Sequence, residues 1–98
     1  MGKLLITTKA EFQTVLAFAR EQTESLRASS GFKLLDTVLA QLEHMRASTE
    51  EGREPTDEER GATDVGPMAV RNFDETHPDY AKLLKELDYA FRNYGKLP

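Results

Sequence analysis

Histidine and acidic residues are the side chains best suited to catalysis or metal binding here, because the chain contains no cysteine. His77 lies between Asp74 and Asp79, a combination of ligand types that could bind a metal ion. Acids at this spacing are also typical of a helix N-terminus, where they cap backbone N–H groups and complement the helix dipole. His44 lies beside an apolar stripe and is interpreted as a histidine at the edge of the core. We therefore predict no metal site.

Other catalytic motifs are absent from the sequence. Ser29 and Ser30 precede Gly31 and suit a turn with a helix cap, and no G-x-S-x-G motif surrounds a serine. Gly61 and Gly66 have the outer spacing of a phosphate-binding loop, but Lys-Ser/Thr does not follow them. The sequence therefore predicts a protein that is not an enzyme and needs no cofactor.

The composition fits one small domain over residues 1–98, with 39% hydrophobic and 31% charged residues. No apolar run is long enough for a membrane span or a secretion signal, and together with the missing cysteines this favours the cytoplasm. The net charge of −4 disfavours nucleic acid as a ligand. A basic protein surface is the more natural partner.

Apolar residues recur every three to four positions in most of the chain, which predicts helices rather than strands. Gly66-Pro67 should kink or break the third helix, because proline lacks a backbone N–H and clashes with the preceding turn. The expected fold is an all-α four-helix bundle built on an antiparallel hairpin of the first two helices. The predicted segments are a lead-in at 1–7, helices at 9–28 and 31–47, helical pieces at 57–64 and 67–73, and a helix at 78–94.

Two capping boxes support these boundaries, one formed by Thr8 with Glu11 and one by Thr56 with Glu59. The apolar stripes also predict which side chains are buried. The expected core contains Phe12, Leu16, Leu35, Val38, Leu42, Val70, Phe73, Leu84, Leu87 and Phe91.

Charge is unevenly distributed along the chain. Residues 50–79 contain ten acids and three bases, a net charge of −7, and the remainder carries +3. Aromatic residues flank these acids, with Phe73 before Asp74-Glu75 and Tyr80 after Asp79. Acids around an aromatic side chain are suited to recognising a basic protein surface.

The segment from Gly66 to Tyr80 resembles part of a family of small helical immunity proteins of bacterial type VI secretion systems, in particular the family that neutralises an NAD(P)⁺ glycohydrolase toxin. Two positions depart from the family pattern: Pro67 interrupts a helix, and Asn72 replaces a residue that is usually charged. The matching positions are Gly66, Ala69-Val70, Arg71, Phe73, Asp74-Glu75, Thr76, His77, Pro78 and Asp79.

This resemblance implies a cytoplasmic, catalytically inert protein that binds the toxin's catalytic domain and occludes its NAD-binding cleft. Cationic side chains in such a cleft would complement the acidic segment. Two alternatives stay open: a helical adaptor or chaperone that binds a secretion effector without inhibiting it, and a metal-dependent enzyme that uses His77. The predicted partner-binding residues are Glu58, Glu59, Asp64, Arg71, Asp74, Glu75, Asp79 and Tyr80.

Overall fold

A computed structural model describes residues 6–98, so residues 1–5 of the predicted lead-in lie outside the described residues. Within residues 6–98 all regular structure is helical, which confirms the all-α prediction. Short 3-10 turns at Glu50–Gly52 and Tyr94–Lys96 supplement the α-helices. The α-helices are α1 (Lys9–Ser30), α2 (Leu34–Ser48), α3 (Asp57–Arg60), α4 (Val65–Asn72) and α5 (Pro78–Arg92).

The ends of α1 follow the capping residues. The Thr8 hydroxyl accepts from the Glu11 N–H at 3.0 Å. The Glu11 carboxylate accepts from the Thr7 N–H at 2.8 Å, one residue before the position that a capping box would use. At the other end, Gly31 adopts a left-handed conformation (φ 67°) that terminates α1. Because Gly31 is used in this way, α2 begins at Leu34 rather than at the predicted residue 31.

Helices α1 and α2 form the predicted antiparallel hairpin. Residues of α1 close to the connecting turn contact residues of α2 close to the turn, and residues far from the turn contact residues far from it. This order of contacts is the one that antiparallel packing requires. These pairs are Arg27 with Asp36, Arg20 with Glu43 at 3.5 Å, and Gln13 of α1 with Thr49 just beyond α2 at 2.8 Å.

The second half of the chain packs on this hairpin in the same alternating manner. The order of contacts shows that α4 is antiparallel to both α5 and α2, and that α5 is antiparallel to α1. Helices α1, α2, α4 and α5 therefore form an up-down-up-down bundle. The pairs are Gly66–Asp88 and Phe73–Tyr80 for α4 and α5, Phe12–Phe91 and Thr23–Tyr80 for α1 and α5, and Gln41–Asp64 and Phe32–Phe73 near α2 and α4.

The predicted interruption lies immediately before Gly66-Pro67. Helix α3 ends at Arg60 and α4 begins at Val65, so residues 61–64 form the break. Pro67 is the third residue of α4, and its missing N–H costs no helical hydrogen bond because the first one is donated by Met68 to the Asp64 carbonyl. Gly66-Pro67 therefore starts a helix here.

Nine of the ten predicted core residues are buried, and Val70 is the exception. Val70 is 52% exposed, so its prediction as a core residue was wrong. Helix α4 packs through Val65, Met68 and Ala69, followed by Phe73. Val70 lies off this stripe and faces solvent.

Candidate partner-binding surface

A buried carboxylate, Asp88 on α5, holds the break between α3 and α4 in place. Only 4% of Asp88 is exposed. Its Oδ1 accepts from the Thr63 hydroxyl at 2.8 Å and from Arg92 Nε at 3.3 Å, and its Oδ2 accepts from the Gly66 N–H at 2.9 Å. Arg92 also donates to the Thr63 carbonyl at 2.5 Å. These contacts, which we call the Asp88 clamp, fix the start of α4 and the acidic residues beside it.

Helix α3 carries two of the predicted site residues in different environments. Glu59 completes the predicted capping box with Thr56 and binds Arg53 at 2.7 Å. Hydrogen bonds from Arg53, then from the Thr56 backbone, lower the pKa of the Glu59 carboxyl to about 2. Glu58 is exposed and makes no ion pair with any described residue. Glu59 thus has internal partners, whereas Glu58 is available to an external cation.

Asp64 connects the start of α4 to α2. Its N–H donates to Gln41 Oε1 at 2.8 Å, and Gln41 Nε2 donates to its Oδ1 at 2.6 Å. The nearby His44 is half-buried, with Nε2 at 3.0 Å from the Glu59 carbonyl and its ring 5.9 Å from that of Phe91. This is the predicted position for His44, at the edge of the core.

The turn between α4 and α5 and the first turn of α5 hold three more predicted acids. Asp74 accepts from Lys85 at 2.8 Å. Glu75 and Asp79 are exposed and have no ion pair in the described part of the chain. His77 lies between them, with its ring 6.2 Å from that of Phe73 and its Nδ1 3.0 Å from the Thr76 hydroxyl.

Tyr80 lies beneath this turn rather than on its surface. It is 5% exposed, its ring is 5.2 Å from that of Phe73, and its hydroxyl is 2.6 Å from the Thr23 hydroxyl. Burial raises the pKa of the Tyr80 phenol. Tyr80 can therefore support a binding surface from within, while Arg71 lies exposed on the outer side of α4.

The predicted residues form two groups separated by the length of α4, about 12 Å for eight residues. Glu58, Glu59 and Asp64 lie near its start. Asp74, Glu75 and Asp79 follow its end. Between the two groups in the chain, α4 exposes Val70 and Arg71. Apart from Tyr80, every predicted site residue is exposed or half-buried.

Sequence reasoning missed Phe32, which lies in the α1–α2 turn. Its side chain is 45% exposed, and its ring is 6.1 Å from that of Phe73. An aromatic residue directly after the helix-terminating Gly31, before the stripe of α2 begins, was the available signal. Phe32 brings the hairpin turn into the same surface as the α4–α5 turn.

No group of three His, Asp or Glu side chains in residues 6–98 could hold a metal ion. None of the helices in that range is long and apolar enough to cross a membrane.

A family model named Tsi6 matches residues 7–93, which spans all five α-helices. No match was found among curated proteins or among solved structures.

Proposed function

The chain belongs to the Tsi6 family of type VI secretion immunity proteins, and we propose that it inhibits an NAD(P)⁺-hydrolysing toxin. In this proposal one copy binds the toxin's catalytic domain in the cytoplasm and covers the active-site cleft. The protein itself catalyses nothing and acts only by occupying the cleft.

The observation that carries the proposal is that Glu58, Glu75 and Asp79, which lie near the two ends of α4, are exposed and form no ion pair with any of residues 6–98. A cleft that binds NAD(P)⁺ needs cationic groups for the pyrophosphate, and these would complement a carboxylate surface. An unpaired carboxylate gains the full attraction of such a cation, whereas one already bound to arginine or lysine gains little. The unpaired acids should therefore contribute more to binding than Glu59 and Asp74.

The remaining predicted residues have supporting roles in this proposal. Asp64 and Arg71 contact the toxin from the exposed side of α4. Tyr80 keeps the α4–α5 turn in position through Phe73 and Thr23.

The direct test is to titrate the protein into the purified toxin domain encoded beside it while NAD⁺ loss is measured. Inhibition that saturates at one equivalent supports the proposal. Binding without inhibition would instead favour the adaptor or chaperone alternative, and binding should therefore be measured in parallel by calorimetry.

Charge reversal tests the proposed surface. Glu75→Lys/Asp79→Lys should weaken inhibition by about 10- to 100-fold, because two attractions become repulsions. Loss of an acid at the start of α5 should cost no more than about 1 kcal/mol of stability. The matched control is Glu21→Lys/Glu24→Lys, which changes the charge equally at exposed positions of α1. Equal weakening by both pairs would indicate a general charge effect and contradict the proposed surface.

A further inference from the structure

A groove with aromatic walls lies where the α1–α2 turn meets the α4–α5 turn. Its volume is about 290 Å³. The Phe32 and His77 rings both meet the Phe73 ring nearly edge to face, at interplanar angles of 68° and 74°. We call this the aromatic groove; its lining includes Leu26, Phe32, Leu35, Phe73, Thr76 and His77.

Carboxylates lie next to the aromatic groove in the chain. Glu75 is in the turn that lines it, and Asp79 follows two residues after His77; neither forms an ion pair within residues 6–98. On the hairpin side Arg27 is bound to Asp36, which leaves the exposed Lys33 as the cation adjacent to Phe32. Two exposed carboxylates therefore flank, in the chain, the residues of the α4–α5 turn that line the groove.

We propose that the aromatic groove binds an arginine side chain of the toxin domain. This inference rests on the proposed function and names the partner group that would enter the surface. A planar guanidinium can stack on an aromatic face while its N–H groups donate to carboxylates. Phe32 supplies the half-exposed ring, and Glu75 with Asp79 supplies the acceptors.

An aliphatic occupant fits the groove less well than arginine. It would cover the apolar walls but would also desolvate nearby carboxylates without giving them a partner. A lysine would supply the charge, but its compact ammonium group cannot make the planar stack or the forked hydrogen bonds. The combination of exposed ring and neighbouring carboxylates is the feature that selects arginine.

Two substitutions of Phe32 separate its aromatic face from its apolar area. Phe32→Ala removes both and should weaken binding of the toxin domain by about 10- to 100-fold. Phe32→Leu keeps apolar area and should weaken it by about 3- to 10-fold. Phe18→Ala is the matched control, since Phe18 is 49% exposed on α1 but does not line the groove. That control should change the affinity by less than about twofold.

The partner side is tested by replacing each exposed arginine of the toxin domain with glutamine. One such arginine variant should bind this protein weakly. When it is combined with Phe32→Ala, the affinity should be no lower than that of the weaker-binding single variant. Each variant of the present chain is first melted thermally, and Phe32→Leu serves as the folded comparison if Phe32→Ala unfolds.

The outcomes distinguish this inference from the proposed function. Full inhibition by wild type with unchanged affinity of both Phe32 variants would overturn the inference and leave the function in place. Binding without inhibition, but weakened by the Phe32 variants, would overturn the function and support the groove. Additive effects of Phe32→Ala with every arginine variant would also overturn the inference. Absence of any binding by the wild-type protein would overturn both.

Discussion

Replacing Gly66 with alanine should destabilise the bundle, although alanine is the better helix former. A Cβ at this position would lie 2.8 Å from Asp88 Oδ2 and 3.3 Å from Asp88 Cβ. The carboxylate has little freedom to move, because it is buried and also accepts from Thr63 and Arg92. Gly66→Ala therefore forces apart the two groups whose hydrogen bond joins α4 to α5.

Two opposing effects set the size of this change. Alanine gains at most about 1 kcal/mol over glycine from helix propensity. Losing a buried hydrogen bond to a charged group costs about 1.5–3 kcal/mol. With the full helix-propensity gain, we expect a net loss of about 0.5–2 kcal/mol in the free energy of unfolding. For a domain of this size, that corresponds to a fall in Tm of roughly 2–15 °C.

Urea denaturation and thermal melting followed by circular dichroism would measure the change. Gly61→Ala is the control, because its Cβ would meet nothing closer than the Asp57 carbonyl at 3.5 Å and its φ of −83° suits alanine. It should stay within about 1 kcal/mol of wild type. In an Asp88→Ala background, Gly66→Ala should cost almost nothing further. A full additional loss there, or unchanged stability of Gly66→Ala alone, would refute the steric argument.

Three further predictions concern other parts of the bundle. Because Arg53 lowers the pKa of Glu59 to about 2, ionised Glu59 stabilises the fold above its ordinary pKa of 4.5, and this contribution disappears as the pH falls towards 2. The Tm values of wild type and Glu59→Gln should therefore converge between those pH values. Tyr80→Phe should lower the free energy of unfolding by about 1 kcal/mol in urea titrations, because the bond to Thr23 is lost; no loss would mean that this bond is energetically neutral. Val70→Lys should change the free energy of unfolding by less than about 0.5 kcal/mol, because Val70 is exposed. A loss above about 2 kcal/mol would show that the Val70 side chain is packed.

The main helices could be predicted because their signals are local. Thr8 and Gly31 lie at the two ends of α1, and the apolar stripes of α2 and α5 continue for several turns. The break before α4 was harder to place, since glycine and proline weaken a helix interior but suit its first turn. The deciding partner is Asp88, 22 residues after Gly66, and local sequence does not reveal that pairing.

Short helices also hide which side is buried. Helix α4 has eight residues, and Ala69 and Val70 are neighbours of similar apolar character. Ala69 is buried because it lies on the same side of α4 as Val65 and Met68. Which side of α4 is buried depends on where α5 packs. Tyr80 likewise could have been a surface contact until its hydrogen bond to Thr23, 57 residues away, was known.

The acidic segment shows most clearly why a count of charges does not locate a binding surface. Of its carboxylates, Glu59 and Asp74 already bind Arg53 and Lys85, so a partner's cation would have to compete for them. Glu75 and Asp79 have no such partner among the described residues, and both are exposed to solvent. Electrostatic attraction to a toxin therefore depends on the carboxylates that the fold leaves uncompensated. Neutralising those should slow association most at low ionic strength, and the association rate should then depend less on salt. At high ionic strength the effect should be small, because the long-range attraction of these carboxylates is already screened.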